Sequence, residues 1–281
     1  MLEVRNYVEA MEYGIARLES LPLSLRLVRE LHEKLMHAVR GNSATPGHFR
    51  RSQNWIGPPG SSLASAIYVP PPVAEMKQSL SDWESFLHRR GELPDLVQCA
   101  LMHEQFEAIH PFLDGNGRVG RLLITLFLIE RGRLSQPLLY LSEYIERERR
   151  SYYDCLQRIR THGDWNGWLH YFLAGVRWSA LRAARQAREL MDLRESMRRK
   201  VVDSPKALSL VDELFVNPHV NAARVKTLLG VSDPTARAAL AELEQAGLIQ
   251  ETSGRQWGRQ YLARGVLKAI EMPTGGDNVE D

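Results

Sequence analysis

Only two cysteines, Cys99 and Cys155, occur among the 281 residues. That is too few for a disulfide framework, and both sit among apolar neighbours at helical spacing, so they read as reduced core residues of a cytoplasmic protein. Long apolar runs are missing as well. The longest near the glycine-rich stretch, Leu122 to Ile129, is interrupted by Thr125 and is far too short to cross a bilayer, which argues against a membrane partner. The first residues, Met-Leu-Glu-Val-Arg-Asn, lack the basic-then-apolar order of a secretory signal. Nor does one sign of charge dominate: 36 Lys and Arg stand against 34 Asp and Glu, which neither demands nor excludes nucleic acid. The 44% apolar content is ordinary for a globular protein, and the length allows one large or two medium domains.

What the chain does have is the run His110-Pro-Phe-Leu-Asp-Gly-Asn-Gly-Arg-Val-Gly-Arg121. His110 can accept a proton near neutral pH, and Pro111 stops a helix just beyond it. Gly115-Asn116-Gly117 can crowd backbone N–H groups into an outward-facing nest, since glycine tolerates the dihedrals that requires. An apolar helix, Arg118 to Glu130, follows, with its positive dipole end toward the same nest. Arg118 and Arg121 share a face of its first turn, where cations oppose the dipole unless a bound anion reverses the sign. Asp114 beside such an anion calls for a divalent cation, and Mg²⁺ typically joins one carboxylate to phosphate oxygens. The stretch therefore predicts Mg·nucleotide with a base alongside.

This run resembles the signature of the Fic (Fic/Doc) family, H-P-F-x-[DE]-G-N-G-R-x-x-R, at every fixed position. The resemblance covers about residues 1–200 and implies a mainly helical core with one β-hairpin flap. It also implies transfer of AMP from ATP to a Ser, Thr or Tyr hydroxyl of a target protein, with release of pyrophosphate. On that reading His110 is the base, Asp114 holds Mg²⁺, and the nucleotide phosphates lie on Gly115, Asn116, Gly117, Arg118, Val119, Gly120 and Arg121. The Asn116 side chain is expected to contact phosphate, and the two arginines to clamp its far end. The later Leu-Tyr-Leu-Ser-x-Tyr run and Tyr-Tyr pair resemble the border of the family's adenine pocket, which would add Ser142, Tyr144 and Tyr153. Rival readings are a relative that moves another phosphate-containing group, and a nucleotide-sensing DNA-binding regulator.

Taken in order, helices are expected over Glu3–Glu19 and Leu23–Val39, then a loop at Gly41–Pro46. Two β-prone runs, Trp55-Ile56 and Ile67-Tyr68-Val69, bracket the turn formers between Gly57 and Ser62. They predict a small hairpin, the flap along which a target segment would add as a strand. Helices are expected next at Val73–Arg90, Asp95–Ile109 and from Ser142, and Asp164 should cap a long one over Trp165–Lys200. His103 could share a face with His110 as a metal pair, but with no further zinc-spaced ligands it reads as a packed, hydrogen-bonded histidine.

Val201-Val-Asp-Ser-Pro205 reads as a linker. Beyond it, helices at Ala207–Phe215, Ala222–Leu229 and Pro234–Ala246, a strand at Gly247–Glu251 and a glycine-containing tip at Thr252–Tyr261 resemble a winged helix-turn-helix domain, 206–268. Ser232, Thr235 and Arg237 would then face the major groove, with Arg255 and Arg259 of the wing on phosphates. Protein docking or dimerisation is the alternative use of such a domain, and Glu242, Glu244 and Glu251 dilute its basic surface. Residues 269–281 read as a flexible acidic tail. Relatives carry a regulatory [ST]-x-x-x-E-[GN] helix whose glutamate competes with phosphate for the second motif arginine, here Arg121. This chain offers only near misses, Ser142 to Glu146 before Arg147 and Ser209 to Glu213 before Leu214. The expectation is a form that is not self-inhibited, its inhibitory segment lying upstream or supplied by a partner.

Overall fold

The computed structural model describes residues 2–39, 45–58 and 60–271. Most of the loop expected at Gly41–Pro46, Pro59 of the flap turn and the tail from residue 272 lie outside the described residues. The fold is mainly helical, and the chain divides into two compact units, Met1–Leu181 and Arg182–Asp281. No helix among the described residues is long and apolar enough to cross a membrane.

The first unit is built around α5, Asn116–Glu130, in which every residue from Leu122 to Leu128 is buried. A helix apolar on all sides needs neighbours on all sides. It gets them from α1 (Leu2–Leu18), α2 (Leu25–Leu35) and α4 (Asp95–Ile109), each packed against it. Glycine decides how closely α1 lies: a Cβ on Gly14 would come within 2.7 Å of the Leu126 side chain. Ser24 caps α2 through the Leu27 amide, and Leu27, Val28, Leu31 and Leu35 form its buried face. α3 (Val73–Leu87) packs on α4, with the Trp83 indole donating to the Met102 carbonyl at 2.9 Å. After α6 (Leu141–Arg147) and α7 (Arg149–His162), Asp164 caps α8 (Trp165–Lys200) by accepting from the Gly167 amide at 2.9 Å, as its position suggested. Both cysteines are free thiols.

The expected hairpin is reduced to a single antiparallel bridge, Ile56 with Tyr68. A short 3-10 turn at Leu63–Ser65 takes up the intervening chain, so the two β-prone runs meet at one point and no ladder forms. Ile67 and Val69 stay exposed beside the bridge.

The second unit begins inside α8, where Leu193, Met197 and Val201 join a core with Leu210, Leu214, Val225, Leu240 and Val266. The boundary by packing thus falls before the stretch read as a linker, because the last turns of α8 supply apolar side chains to the second core. Residues 201–204 are only the turn before α9 (Pro205–Val216), which is held by Arg198 on Asp212 at 2.7 Å. Then come β1 (His219–Asn221), α10 (Ala222–Leu229), α11 (Asp233–Gln245), β2 (Gln250–Glu251) and β3 (Gln260–Leu262). The sheet is antiparallel in the order β1-β3-β2, with Leu262 of β3 opposite both His219 and Gln250. A last helix, α12 (Arg264–Ile270), occupies the first residues expected in the tail, because Val266 and Ala269 reach this core.

Candidate active site

α4 ends at His110, whose backbone turns left-handed (φ 48°, ψ 60°) ahead of Pro111. Its carbonyl, freed from the helix, accepts from Arg50 Nε at 3.1 Å and Asn54 Nδ2 at 3.2 Å. Gly115, at φ 81°, opens α5 two residues earlier than expected; a side chain there would strike Met36 Sδ at 2.9 Å. Among the described residues no side chain caps this helix, which leaves its first-turn amides open to an anion. Asn116 corrects one expectation. It is buried, its Oδ1 accepts from the Phe112 amide and its Nδ2 donates to the Phe112 carbonyl, both at 2.8 Å. The amide therefore closes the loop on itself and is not available to a phosphate.

A second brace comes from His32, about 80 residues upstream and unmarked in the sequence. Nδ1 accepts from the Gly47 amide at 2.9 Å, which leaves the proton on Nε2 to donate to the Asp114 carbonyl at 3.0 Å. The ring stacks flat on Phe112, centroids 3.7 Å apart. Burial lowers its pKa to about 4, so it is neutral at working pH. His103 is likewise a packed histidine: Nδ1 bonds the Gly120 carbonyl at 3.2 Å and Nε2 the Tyr152 hydroxyl at 2.9 Å.

His110 Nδ1 faces the Glu107 carbonyl at 3.4 Å, and a carbonyl can only accept, so the proton sits on Nδ1 and Nε2 keeps a free lone pair. Its pKa is not the near-neutral one expected. Burial is the largest cause of a fall to about 4, aided by Arg160 and Arg50 and opposed by the Glu107 carbonyl and Asp114. Glu107 goes the other way, up to about 7 by burial against the pull of Arg121 and Arg160, and its Oε1 finds no partner among the described residues.

Asp114 is half-exposed, with Oδ1 taken by the Gly115 amide at 2.6 Å and Oδ2 3.5 Å from Arg118. Among the described residues no three His, Cys, Asp or Glu side chains are grouped to hold a metal. Arg121 has no carboxylate at ion-pair distance among them, and its Nη1 lies over Gly117. Arg118 and Arg121 line one end of a groove of about 490 Å³ whose walls include Tyr7, Val8 and Met11 of α1 and Leu139 to Ser142. Of the residues assigned to adenine, Ser142 thus lines the same groove as the arginines. Tyr144 packs instead against Tyr171 and Trp178 of α8, and Tyr153 is exposed beside Tyr152.

In the second unit, Ser232 and Thr235 pair through their hydroxyls at 2.9 Å, and Arg237 is tied to Asp233 at 3.1 Å and lies over Trp257. Glu251 caps the tip before Arg255 and Arg259 by accepting from the Ser253 amide at 2.7 Å.

In this helical core an imidazole, a glycine-opened helix end and two arginines follow one another along one run of the chain, and residues 22–128 match the model of the Fic/DOC family. The chain carries a domain of that family. Among known proteins it is similar to the protein adenylyltransferase Fic of Drosophila willistoni, 31% identical over 159 residues, 55% of this chain and 28% of that protein. The enzyme of the same name from Drosophila grimshawi is 30% identical over 158 residues, with 55% and 29% covered. The chain thus spans under a third of the length of these relatives. Its fold is that of a Fic family protein from Desulfovibrio desulfuricans G20, at TM-score 0.57 and 24% identity over 93% of this chain and 74% of that one. Fic-1 of C. elegans, residues 134–508, aligns at TM-score 0.50 and 21% identity over 67% of this chain and 53% of its own.

Proposed function

We propose that the first unit transfers AMP from Mg·ATP to a hydroxyl of a target protein. The observation that carries this reading is the juxtaposition of an imidazole with its Nε2 lone pair free and an uncapped helix end bearing Arg118 and Arg121. The target oxygen bonds to the α-phosphorus, the bond from that phosphorus to the bridging oxygen breaks, and pyrophosphate leaves. His110 Nε2 takes the hydroxyl proton. A low pKa keeps the ring in its proton-accepting form, and the phosphates arriving beside it raise its basicity at the moment it is needed.

The amides of the first turn of α5 hold the α-phosphate, and Arg118 and Arg121 take the phosphates beyond it. Asp114 fits a cation shared with phosphate oxygens: its carboxylate is half-exposed and belongs to no group of three ligand side chains among the described residues, and such a set suits Mg²⁺ rather than an all-protein metal cage. A cation held there by Asp114 would supply neutralisation of phosphate charge. With its carboxylate turned to a cation, Asp114 would release Arg118, whose remaining partners among the described residues are Glu3 at 3.9 Å and Met36 Sδ at 3.2 Å. The single bridge at Ile56 and Tyr68, with exposed Ile67 and Val69, is the edge along which the target segment runs.

The second unit supports a winged helix-turn-helix reading through its order of helix, strand, two helices and hairpin. With Arg237 already paired to Asp233, its free charge toward DNA rests on Arg255 and Arg259. The test of the main reading is incubation with α-labelled ATP, Mg²⁺ and lysate, followed by mass spectrometry of labelled proteins. Label on a hydroxyl with the mass of AMP is expected for the wild type and absent for His110→Ala. Undiminished labelling by that variant, or a different added mass, refutes the reading.

A further inference from the structure

Arg50 is 2% exposed, and among the described residues no carboxylate lies at ion-pair distance from it. A buried guanidinium without a counter-ion must spend its donors on dipoles. Nε donates to the His110 carbonyl at 3.1 Å, Nη1 to the Ser52 carbonyl at 3.2 Å and Nη2 to the Pro71 carbonyl, while the Arg50 amide donates to the Pro111 carbonyl at 2.8 Å. Ser52 and Pro71 are the two ends of the segment that carries the Ile56–Tyr68 bridge. One planar fork therefore ties both ends of that segment to the residue that bears the imidazole. Asn54 repeats the tie with Nδ2 on the His110 and Phe112 carbonyls, at 3.2 and 2.9 Å.

We propose that Arg50, seconded by Asn54, is a positioning residue for the transfer reaction: it holds His110 in its left-handed turn and fixes the distance between the base and the edge that seats the target. This rests on the transfer reading above. Among the described residues the His110 carbonyl is held only by Arg50 and Asn54, so without the fork the turn keeps a single tie and can relax and swing the ring. Misplacing a catalytic group by about 1 Å costs on the order of a hundredfold in rate. The Arg50 bonds touch neither the arginines nor the first turn of α5, so nucleotide binding is independent of the fork; Asn54 shares the Phe112 carbonyl with Asn116, and the comparison of kcat with Kd therefore rests on the Arg50 variants. The charge also matters, since Arg50, Arg160 and Asp114 are the charged groups that face His110, and the first two oppose imidazolium.

The experiment compares the wild type with Arg50→Met, Arg50→Lys and Asn54→Ala. It measures kcat and KM for transfer from α-labelled ATP, the Kd of Mg·ATP by calorimetry, and the histidine ¹⁵N spectrum. The expected result for Arg50→Met is a fall in kcat of roughly ten- to a hundredfold with Kd within about twofold, and loss of the single Nδ1–H pattern of His110. Arg50→Lys, which keeps the charge but not the fork, recovers only part of kcat. Asn54→Ala, which keeps the charge entirely, lowers kcat less and carries the test through kcat and the nitrogen spectrum if the Arg50 variants do not fold. An unchanged kcat in Asn54→Ala, equal losses in kcat and Kd in Arg50→Met, or full rescue by lysine overturns the proposal. Should the wild type transfer nothing, the transfer reading fails on its own, and the nitrogen spectrum still decides whether Arg50 holds His110.

Discussion

Replacing His32 by alanine tests whether the motif loop depends on a brace that is not part of the motif. The change removes a stacked ring and strands the Gly47 amide and the Asp114 carbonyl in a buried place. Each lost hydrogen bond costs about 1 kcal/mol and the ring contact about as much again, so a deficit of about 3–4 kcal/mol is expected near pH 7.5. The deficit must also depend on pH, and its sign is fixed. His32 has a folded-state pKa of about 4 against an ordinary 6.5, so between those values the unfolded chain binds a proton that the folded one refuses. Stability from the neutral ring is complete above pH 6.5 and is lost as pH falls toward 4. At pH 5.5 that loss is about 1.4 kcal/mol for this one group. Alanine has no proton to bind, so the variant's deficit should shrink to about 2 kcal/mol at pH 5.5. His103 and His110 titrate in the same window but occur in both proteins and cancel in the difference. Urea melts of both proteins at the two pH values supply the four numbers. A deficit that is equal at both, or larger at pH 5.5, refutes the assignment of a buried neutral ring.

Arg121→Ala should weaken ATP more than ADP in calorimetry, because the side chain is assigned to the far end of the triphosphate. A charge-assisted contact is worth roughly 1.5–3 kcal/mol, or about ten- to a hundredfold in Kd, and equal losses would move Arg121 away from the γ-phosphate. For the second unit, gel shifts across a salt series should give at most modest DNA affinity that falls as salt rises, with Arg255→Ala and Arg259→Ala each reducing the salt slope. Absence of any shift at low salt would favour protein docking.

Much of the site was legible because its residues are consecutive. The run from His110 to Arg121 fixes a helix end, a glycine-opened turn and a helix start by local chemistry alone, and α4 and α10 begin and end where the periodicity placed them. What escaped was nonlocal. His32 reaches the loop from another helix, and nothing in its own neighbourhood distinguishes it from any histidine on an apolar face. Arg50 and Asn54 act through backbone carbonyls, which carry no sequence signature. Asn116 stands in the motif yet turns inward, since a polar side chain's direction depends on which backbone groups a turn leaves unpaired. β1 was missed because three residues exist as a strand only through partners about 40 positions away. A resemblance names the tyrosine positions, but the packing of α6 on α8 decides which way Tyr144 faces.

The left-handed backbone at His110 bears on how this position can change over evolutionary time. Holding an ordinary L-residue there costs on the order of 1 kcal/mol, which glycine avoids and asparagine partly avoids. Selection for folding alone would therefore drift position 110 toward those two residues, and the drifted chains would be the more robust ones. Histidine persists at such a place only while its ring is in use, so descendants freed from that use should keep the fold and lose the imidazole first.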